Sequence, residues 1–174
     1  MFDISQKLQD LSNETSVYNV LNSIQNYILS ILKNNPSQTE FINHIKLIEE
    51  AKDIASKNFC CDHSGFTVGA ALLTRDGKVY KGFNVENDGI QSICAERVAF
   101  TKALSEGNKE FKGILVVGKP QKAQYFQKTI PCGYCRQFMK EYVTEDFLVY
   151  AYDEEKDEVY EYKITELLPE SFSL

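Results

Sequence analysis

The segments Cys94-Ala95-Glu96 and Pro131-Cys132-Gly133-Tyr134-Cys135 decide how this chain folds, because each lies at the start of a predicted helix. Pro131 favours an extended residue before it and a helix directly after it. Cys132 and Cys135 then lie in the first turn of one helix, while Cys94 precedes another. The two helix N-termini are therefore expected to bring three thiols together.

Three converging thiols predict a zinc site of the catalytic kind. A structural zinc site fills all four tetrahedral positions with protein ligands, whereas a catalytic site leaves one position open for water. The positive end of a helix lowers thiol pKa values, which favours the thiolate form that binds metal. The predicted zinc ligands are Cys94, Cys132 and Cys135. Glu96 lies two residues from the first of them, so we predict that its carboxylate carries protons in hydrolysis.

Other interpretations of these residues exist. A Cys-x-x-Cys pair alone also occurs in structural zinc sites and in thiol redox proteins. Glu96 could simply occupy the first helical turn, where carboxylates are favoured. Three thiolates around Zn²⁺ carry a net negative charge that weakens the acidity of bound water. We expect the neighbouring Arg97, together with the helix dipoles, to offset that charge.

Composition limits the class of partner. The chain has 174 residues, enough for one domain, and a net charge of −6, which argues against a phosphate-backbone partner. No apolar run is long enough to cross a membrane, and the N-terminus resembles neither a secretory signal nor a transit peptide. Five cysteines without a signal peptide indicate a reducing compartment. We therefore expect a cytoplasmic protein that binds neither nucleic acid nor membrane.

The order of predicted elements indicates an α/β fold. Hydrophobic periodicity predicts helices over residues 16–33, 37–57, 95–106 and 132–142, and strands over residues 66–74, 79–86, 113–118, 147–152 and 158–164. Asp76-Gly77 favours a tight hairpin turn between the first two strands. We expect helices on both faces of a five-stranded mixed sheet. Residues 1–40 are predicted to form an N-terminal helical arm, and residues 41–174 the catalytic domain.

Several motifs together resemble the small, free-nucleoside, zinc-dependent cytidine deaminases. The resemblance covers residues 45–169 and is distinctive in combination. Its segments are Phe66-Thr67-Val68-Gly69-Ala70-Ala71-Leu72, Gly82-Phe83-Asn84-Val85-Glu86-Asn87, Ile93-Cys94-Ala95-Glu96-Arg97, Pro131-Cys132-Gly133-Tyr134-Cys135-Arg136-Gln137 and Glu166-Leu167-Leu168-Pro169.

This resemblance implies a three-layer α/β/α sandwich with one Zn²⁺ per subunit and a homotetramer whose sites are completed by neighbouring subunits. It also implies that Phe66 lies against the pyrimidine and that the backbone at Ala95, with Glu96, recognises the polar edge of the base. Asn84 and Glu86 would hydrogen-bond the ribose. Residues at i and i+2 of a strand face the same way, which supports that pairing independently. The alternative is that Asn84 and Glu86 are simply polar residues at the end of a strand and bind no sugar.

The chain departs from the family pattern around the rim of the expected pocket. His63 stands where a tyrosine is usual, and residues 87–94 are one residue short and lack the usual aromatic side chain. The tail that contains Phe172 is abbreviated. These departures bear on subunit contacts and on the range of substrates. We expect Cys60 and Cys61 to be inert packing residues, and His44 and His63 to be structural.

We predict hydrolytic deamination of cytidine and 2′-deoxycytidine to the corresponding uridines with release of ammonia, a reaction of pyrimidine salvage. The relative preference for ribose or deoxyribose is left open. One alternative is a modified or antibiotic cytosine nucleoside as the substrate. Another, from a different class, is a catalytically silent zinc-stabilised interaction module that uses the helical arm as its binding face.

Overall fold

The structure, a computed structural model, describes residues 36–172, with side chains from residue 44 onward. The compact unit that carries the sheet covers Ile45–Leu174. The predicted helix over residues 16–33 lies outside the described residues. The division into an arm of residues 1–40 and a domain of residues 41–174 therefore stays a prediction.

The described residues form four helices and five strands. The helices are α1 (Pro36–Ser56), α2 (Ala95–Ser105), α3 (Gly133–Lys140) and α4 (Ile164–Leu167), and the strands are β1 (Phe66–Thr74), β2 (Val79–Phe83), β3 (Phe111–Pro120), β4 (Leu148–Asp153) and β5 (Glu158–Lys163). The order of elements agrees with the sequence-based prediction. The largest differences in the bounds are that β3 is longer than predicted and that β2 ends at Phe83 rather than at Glu86. The other bounds differ from the prediction by at most two residues.

The strands form one mixed sheet in the order β2-β1-β3-β4-β5. Only β3 and β4 run parallel, and the other neighbouring pairs are antiparallel. The predicted Asp-Gly hairpin turn joins β1 to β2, with Gly77 at φ 88°, a conformation that favours glycine. The predicted five-stranded mixed sheet is thus confirmed.

Helices cover both faces of the sheet, as the three-layer prediction requires. Successive residues of β1 point to opposite faces. Ala70 and Leu72 pack with α2 and α3, in a cluster that also contains Ala99, Phe100, Ala103, Ile114, Val116 and Met139. Ala71 and Leu73 pack with α1, in a second cluster that contains Leu47, Ala51, Ala55, Leu115 and Val117.

The inner face of α1 differs by one position from the prediction. The spacing of apolar residues in the sequence predicts an inner face of Phe41, His44, Ile45, Ile48, Ala51 and Ala55. Ile45 is instead 44% exposed, whereas Leu47 is only 1% exposed. Ala51 and Ala55 are buried as predicted, so Leu47 continues the i, i+4, i+8 stripe that these two alanines form. Within residues 36–172, no helix has the length and hydropathy needed to cross a membrane.

Gly82 allows α2 to approach the sheet closely. A Cβ atom at this position would lie 2.4 Å from the carbonyl oxygen of Ala95 and 2.8 Å from the amide nitrogen of Ala99. Real Cβ atoms do not come so close to backbone atoms. The first turn of α2, which carries Glu96, is therefore set against β2 at a distance that only glycine permits.

Candidate active site and metal centre

Two helix N-termini bring the three predicted zinc ligands together. Cys94 is the N-cap residue of α2, Cys132 is the N-cap residue of α3, and Cys135 lies in the first turn of α3. The three sulfur atoms all lie within 4.8 Å of one another. The Sγ atoms of Cys94 and Cys132 are 4.0 Å apart. The structure therefore brings together the three thiols that the sequence predicts to converge at two helix N-termini.

This thiol cluster fits a zinc ion. Zn–S bonds of about 2.3 Å in a tetrahedron separate two sulfur atoms by about 3.8 Å, close to the observed distance between Cys94 and Cys132. Neither N-cap cysteine uses its side chain to cap its helix, so both thiols are free to bind metal. Cys135 is buried and Cys132 is exposed. The cluster therefore has one buried side and one side open to solvent.

The thiols are electrostatically coupled to one another and to Arg97. A hydrogen bond with the Cys135 thiol lowers the pKa of Cys94 to about 5, and the guanidinium of Arg97 acts in the same direction. The same hydrogen bond, together with burial, raises the pKa of Cys135. Arg97 also stacks on Tyr134, with its Cζ atom 4.6 Å from the ring centroid. The positive charge of Arg97 thus lies beside the sulfur atoms, in the position that we expected from its place next to Glu96 in the sequence.

Glu96 is a buried carboxyl group beside the thiols. Its side chain is only 3% exposed, although it lies in the first turn of α2. Burial raises the pKa of Glu96 to about 7, and the negative charge of Cys94 adds to the shift. A carboxyl group in this environment can both take up and release a proton near neutral pH.

One cavity of about 310 Å³ joins the thiol cluster to the predicted substrate residues. This volume suits a small molecule. The predicted residues that line it are Phe66, Asn84, Glu86, Cys94, Ala95, Glu96 and Cys132. Residues from four separate sequence segments therefore meet in one place. Cys135 and Arg97 are not among the lining residues.

The side chain of Asn84 explains why β2 ends before the predicted bound. Its Oδ1 accepts a hydrogen bond of 2.8 Å from the amide of Val68, and its Nδ2 donates one of 2.9 Å to the carbonyl of Phe66. The Asn84 side chain thus forms hydrogen bonds with the main-chain groups of β1 that the backbone of a longer β2 would otherwise bond. Glu86 nevertheless lies beside Asn84. Asn84 Nδ2 donates a hydrogen bond of 3.2 Å to Glu86 Oε1.

The structure adds residues to the site that sequence analysis did not identify. Ser64, Ser92, Thr129 and Ile130 also line the cavity. Ser64 follows His63 in the sequence, but no local pattern indicates that it contacts Glu86. Its hydroxyl donates to Glu86 Oε1 at 2.5 Å. The only available sequence signal was its position two residues before Phe66.

Arg136 fastens the C-terminal segment to the loop that carries Cys132. Its Nε donates to the carbonyl of Pro131 at 2.7 Å, and its Nη1 donates to the carbonyl of Leu167 at 2.8 Å. Arg136 belongs to the motif that contains Cys132 and Cys135, but the sequence alone indicates no role for it. The contact between residues 136 and 167 depends on the folded topology, which local sequence does not reveal.

The residues that depart from the family pattern lie mostly at the surface. His63 Nε2 is 3.4 Å from a carboxylate oxygen of Asp88, and both side chains are exposed. Phe172 is 66% exposed, while its carbonyl accepts a hydrogen bond from Gln137. Ile90, within the shortened segment, is fully exposed. His63 and Phe172 are therefore not among the cavity-lining residues.

The remaining cysteines differ in environment. Cys61 is buried and its sulfur lies 3.0 Å from Nε2 of Gln121, as suits a packed thiol. Cys60 is half-buried, and its amide donates to Asn58 Oδ1 at 2.8 Å. Neither belongs to the thiol cluster found among the described residues. His44 is half-buried and has an interaction partner.

Several known proteins are similar to this chain in sequence and in fold. The family model described as cytidine and deoxycytidylate deaminase zinc-binding region matches residues 42–151. A cytidine deaminase from Sporosarcina psychrophila is 39% identical over 129 residues, which are 74% of this chain and 90% of that protein. A probable cytidine deaminase from Dictyostelium discoideum is 53% identical over 83 residues, 47% of this chain and 54% of that protein.

A solved structure shares the fold. The crystal structure of cytidine deaminase from Burkholderia pseudomallei has a TM-score of 0.65 and 39% sequence identity to this chain. The likeness covers 74% of this chain and 98% of that one. Together with the three-thiol cluster and the buried Glu96, these similarities show that the chain belongs to the zinc-dependent cytidine and deoxycytidylate deaminase family.

Proposed function

We propose that this protein hydrolyses the exocyclic C–N bond of cytidine and 2′-deoxycytidine, yielding uridine or 2′-deoxyuridine and ammonia. One observation carries the proposal: the buried carboxyl group of Glu96 lies beside three converging thiols, in a cavity that Glu86 also lines. An acid-base group, a metal site and a hydrogen-bond acceptor for a sugar are what this reaction requires.

The proposed reaction moves one oxygen atom and two protons. Cys94, Cys132 and Cys135 would hold Zn²⁺, which would supply an acidified water. Glu96 accepts a proton as the oxygen of water forms a bond to the ring carbon that carries the amine. Glu96 delivers this proton to the ring nitrogen. It then takes the second proton of the former water from the hydroxyl on the ring carbon and delivers it to the amine, so that the C–N bond breaks, the ring carbonyl forms and ammonia leaves.

The proposed substrate contacts use the other residues of the cavity. The ring of Phe66 provides an apolar face for the pyrimidine, and Gly118 leaves room for it, since a Cβ there would lie 2.7 Å from Cε1 of Phe66. The backbone at Ala95, with Glu96, faces the polar edge of the base. Asn84 and Glu86 form the sugar-binding pair.

Arg97 is proposed to tune the metal centre. Its guanidinium interacts with the sulfur atoms of both Cys94 and Cys135, so it offsets part of the negative charge of three thiolates. Less negative charge at the thiol cluster would leave a bound Zn²⁺ better able to acidify water. Charge compensation from this side chain therefore favours the hydrolytic reaction.

The proposal extends to assembly and location. Ile90, Ile130 and Tyr134 are exposed large side chains, and Ile130 also lines the cavity. We propose that these exposed positions contact neighbouring subunits in a homotetramer whose sites are shared. All five cysteines are free, in keeping with a cytoplasmic role in pyrimidine salvage. Residues 1–40 are proposed to form a helical arm.

The function is tested by turnover and metal content together. Protein with quantified zinc is incubated with a panel of cytosine and adenine nucleosides, including modified and antibiotic cytosine nucleosides, and ammonia release is followed. We expect turnover of cytidine and 2′-deoxycytidine. Glu96→Gln should retain zinc and lose about 10²- to 10⁴-fold in kcat, the usual contribution of a general acid-base. Glu161→Gln, at an exposed position on β5, is the matched control.

The alternatives give different outcomes in the same panel. Full zinc without turnover of any nucleoside would contradict the enzyme and favour the silent zinc-stabilised module. Turnover only of a modified or antibiotic nucleoside would redirect the substrate assignment. Zinc should be lost from Cys94→Ala, Cys132→Ala and Cys135→Ala alike, and full retention by any one variant would remove that cysteine from the proposed ligand set.

A further inference from the structure

Tyr134 and Arg97 connect the first turns of the two helices that carry the thiols. Arg97 is in the first turn of α2, and Tyr134 is in the first turn of α3. The Cζ atom of Arg97 lies 4.6 Å from the centroid of the Tyr134 ring, which is within the range of a cation–π contact. This contact joins the two helix N-termini directly and uses no atom that would bind zinc.

The guanidinium of Arg97 is held from several sides. Its Nη2 donates a hydrogen bond of 3.2 Å to the carbonyl of Ser92, and the group also interacts with the sulfur atoms of Cys94 and Cys135. Its Nε atom is buried and has no hydrogen-bond partner among the described residues. The electron-rich face of an aromatic ring stabilises a cationic group that lacks an acceptor. The Tyr134 ring therefore provides a contact that hydrogen bonds do not.

Burial does not explain an aromatic side chain at position 134. Tyr134 is 68% exposed, although it lies between two predicted zinc ligands in the sequence. An apolar group that stays in contact with water contributes little to the stability of the core. The contact with Arg97 gives this ring a local role at the thiol cluster instead.

The binding of a metal includes the free-energy cost of bringing its ligands together. The observed affinity falls in proportion to the fraction of metal-free molecules whose ligands are already in place. After zinc binds, its bonds to the thiols hold the two N-termini by themselves. A contact that holds the N-termini before zinc arrives therefore raises the affinity by increasing that fraction.

We infer that Tyr134 is a positioning residue that stacks on Arg97, holds the N-termini of α2 and α3 together in the metal-free protein, and so prepares the thiol cluster for zinc. This role differs from the charge compensation proposed for Arg97, which acts on bound zinc. The inference rests on the proposed ligand set and not on the deamination reaction. It requires an aromatic face, so phenylalanine should replace Tyr134 and an aliphatic side chain should not.

The first test measures the Kd for zinc of the full chain by competition with a chromophoric chelator. Tyr134→Ala and Tyr134→Leu should each raise the Kd about fivefold, as expected for the loss of one cation–π contact. Tyr134→Phe should stay within about twofold of wild type. Tyr142→Ala is the matched control, because it removes the ring packing on Phe138 beyond the other end of α3. It should also stay within about twofold.

Three results of this titration would overturn the inference. They are wild-type affinity in Tyr134→Ala, wild-type affinity in Tyr134→Leu, and a loss in Tyr134→Phe as large as that in Tyr134→Ala. A fivefold loss in Tyr142→Ala would assign the effect to general weakening of α3 and would overturn it as well.

A double-mutant cycle tests whether Arg97 is the partner of Tyr134. Arg97→Gln removes the cation on which the ring stacks. In that background, Tyr134→Ala should change the Kd for zinc by less than about twofold. A full fivefold loss in the same background would show that Tyr134 acts through another contact, and the inference would be refuted.

Amide hydrogen exchange separates preparation of the site from stability of the fold. Two amides report on the helix N-termini, because Val98 donates to the carbonyl of Cys94 at 3.1 Å and Arg136 to that of Cys132 at 3.0 Å. In metal-free Tyr134→Ala these amides should exchange about fivefold faster than in the metal-free wild type. The zinc-loaded proteins should exchange alike.

The exchange experiment also has outcomes that contradict the inference. Equal exchange in the two metal-free proteins would show that the stacked ring holds nothing in place. Unprotected amides in the metal-free wild type would show the same. A fivefold increase that persists in zinc-loaded Tyr134→Ala would indicate a merely structural role.

These measurements need no turnover, so their failure is distinguishable from failure of the proposed function. Coupled effects of Tyr134 and Arg97 on zinc binding, in a protein that deaminates no nucleoside, would refute the activity and leave the inference standing. Turnover of cytidine together with independent effects of the two substitutions would refute the inference alone. Full zinc retention by Cys94→Ala, Cys132→Ala and Cys135→Ala would overturn the ligand set and the inference together.

Discussion

Substitution of Gly82 by alanine should damage catalysis from outside the cavity. The new Cβ would lie 2.4 Å from the carbonyl oxygen of Ala95 and 2.8 Å from the amide nitrogen of Ala99, so β2 and α2 must move apart by about 1 Å to reach ordinary contact. Cys94 and Glu96 flank Ala95 and move with it. Displacement of a reacting group by about 1 Å can cost about 10²-fold in rate.

The assay measures kcat/KM for cytidine, zinc content and urea unfolding on the same preparation. We expect kcat/KM to fall by about 10²-fold, with a loss of about 1–3 kcal/mol in the free energy of unfolding from overpacking. Gly113→Ala is the matched control, because its Cβ would lie 2.9 Å from the carbonyl oxygen of Leu148, at the end of β3 remote from Gly118. It should lose stability and keep its activity.

The two variants together decide whether the close approach of α2 matters for catalysis. An unchanged kcat/KM in Gly82→Ala, at an intact fold, would refute the argument that Gly82 positions the site. An equal loss of activity in Gly113→Ala would attribute the effect to global destabilisation instead. The first result would show that the first turn of α2 tolerates displacement from β2.

Three further perturbations test other parts of the structure. Gly118→Ala should push the ring of Phe66 and raise KM for cytidine about tenfold with little change in kcat, as steady-state kinetics will show. Arg136→Gln should remove the hydrogen bond to the carbonyl of Pro131, next to Cys132, so that a chelator removes zinc faster. A chromophoric indicator will follow the release of zinc. Glu154 has a lowered pKa because hydrogen bonds from Lys52 and a backbone amide outweigh the effect of burial. Its contribution is present above about pH 4.3 and is lost as the pH falls, so urea unfolding of Glu154→Gln should depend less on pH in that range.

Contrary results are equally specific. A fall in kcat without a change in KM in Gly118→Ala would show that the ring acts on chemistry and not on binding. Zinc release from Arg136→Gln at the wild-type rate would separate the C-terminal contact from metal retention. The same acid dependence of unfolding in Glu154→Gln and wild type would assign the stability lost below pH 4.3 to other carboxylates.

Features with a local signature were predictable from the sequence. The proline before Cys132 and the start of a helical pattern after Cys94 indicated that both thiols lie at helix N-termini, and the structure places them there. Alternating and continuous apolar runs gave the strands, and the Asp-Gly pair gave the hairpin. These signals need only neighbouring residues along the chain, which is why they were informative without coordinates.

Features that depend on contacts across the fold were not predictable. The end of β2 depends on the side chain of Asn84, which accepts a hydrogen bond from β1. The place of Ser64 in the site depends on its hydrogen bond to Glu86. The assignment of Ile45 to the inner face of α1 was wrong because the stripe continues through Leu47. Each of these outcomes depends on which surface the segment meets, and one sequence does not show that surface.

The central claim is that Glu96, beside a zinc ion held by three thiolates, adds water to a cytosine nucleoside. The most direct test is turnover of cytidine in ¹⁸O-labelled water, with the product analysed by mass spectrometry and ammonia counted. Zinc-loaded wild type should give uridine with one ¹⁸O atom and one ammonia for each cytidine consumed, while zinc-loaded Glu96→Gln should give almost no product. Unlabelled product, no product from wild type, or equal rates for both proteins would contradict the claim.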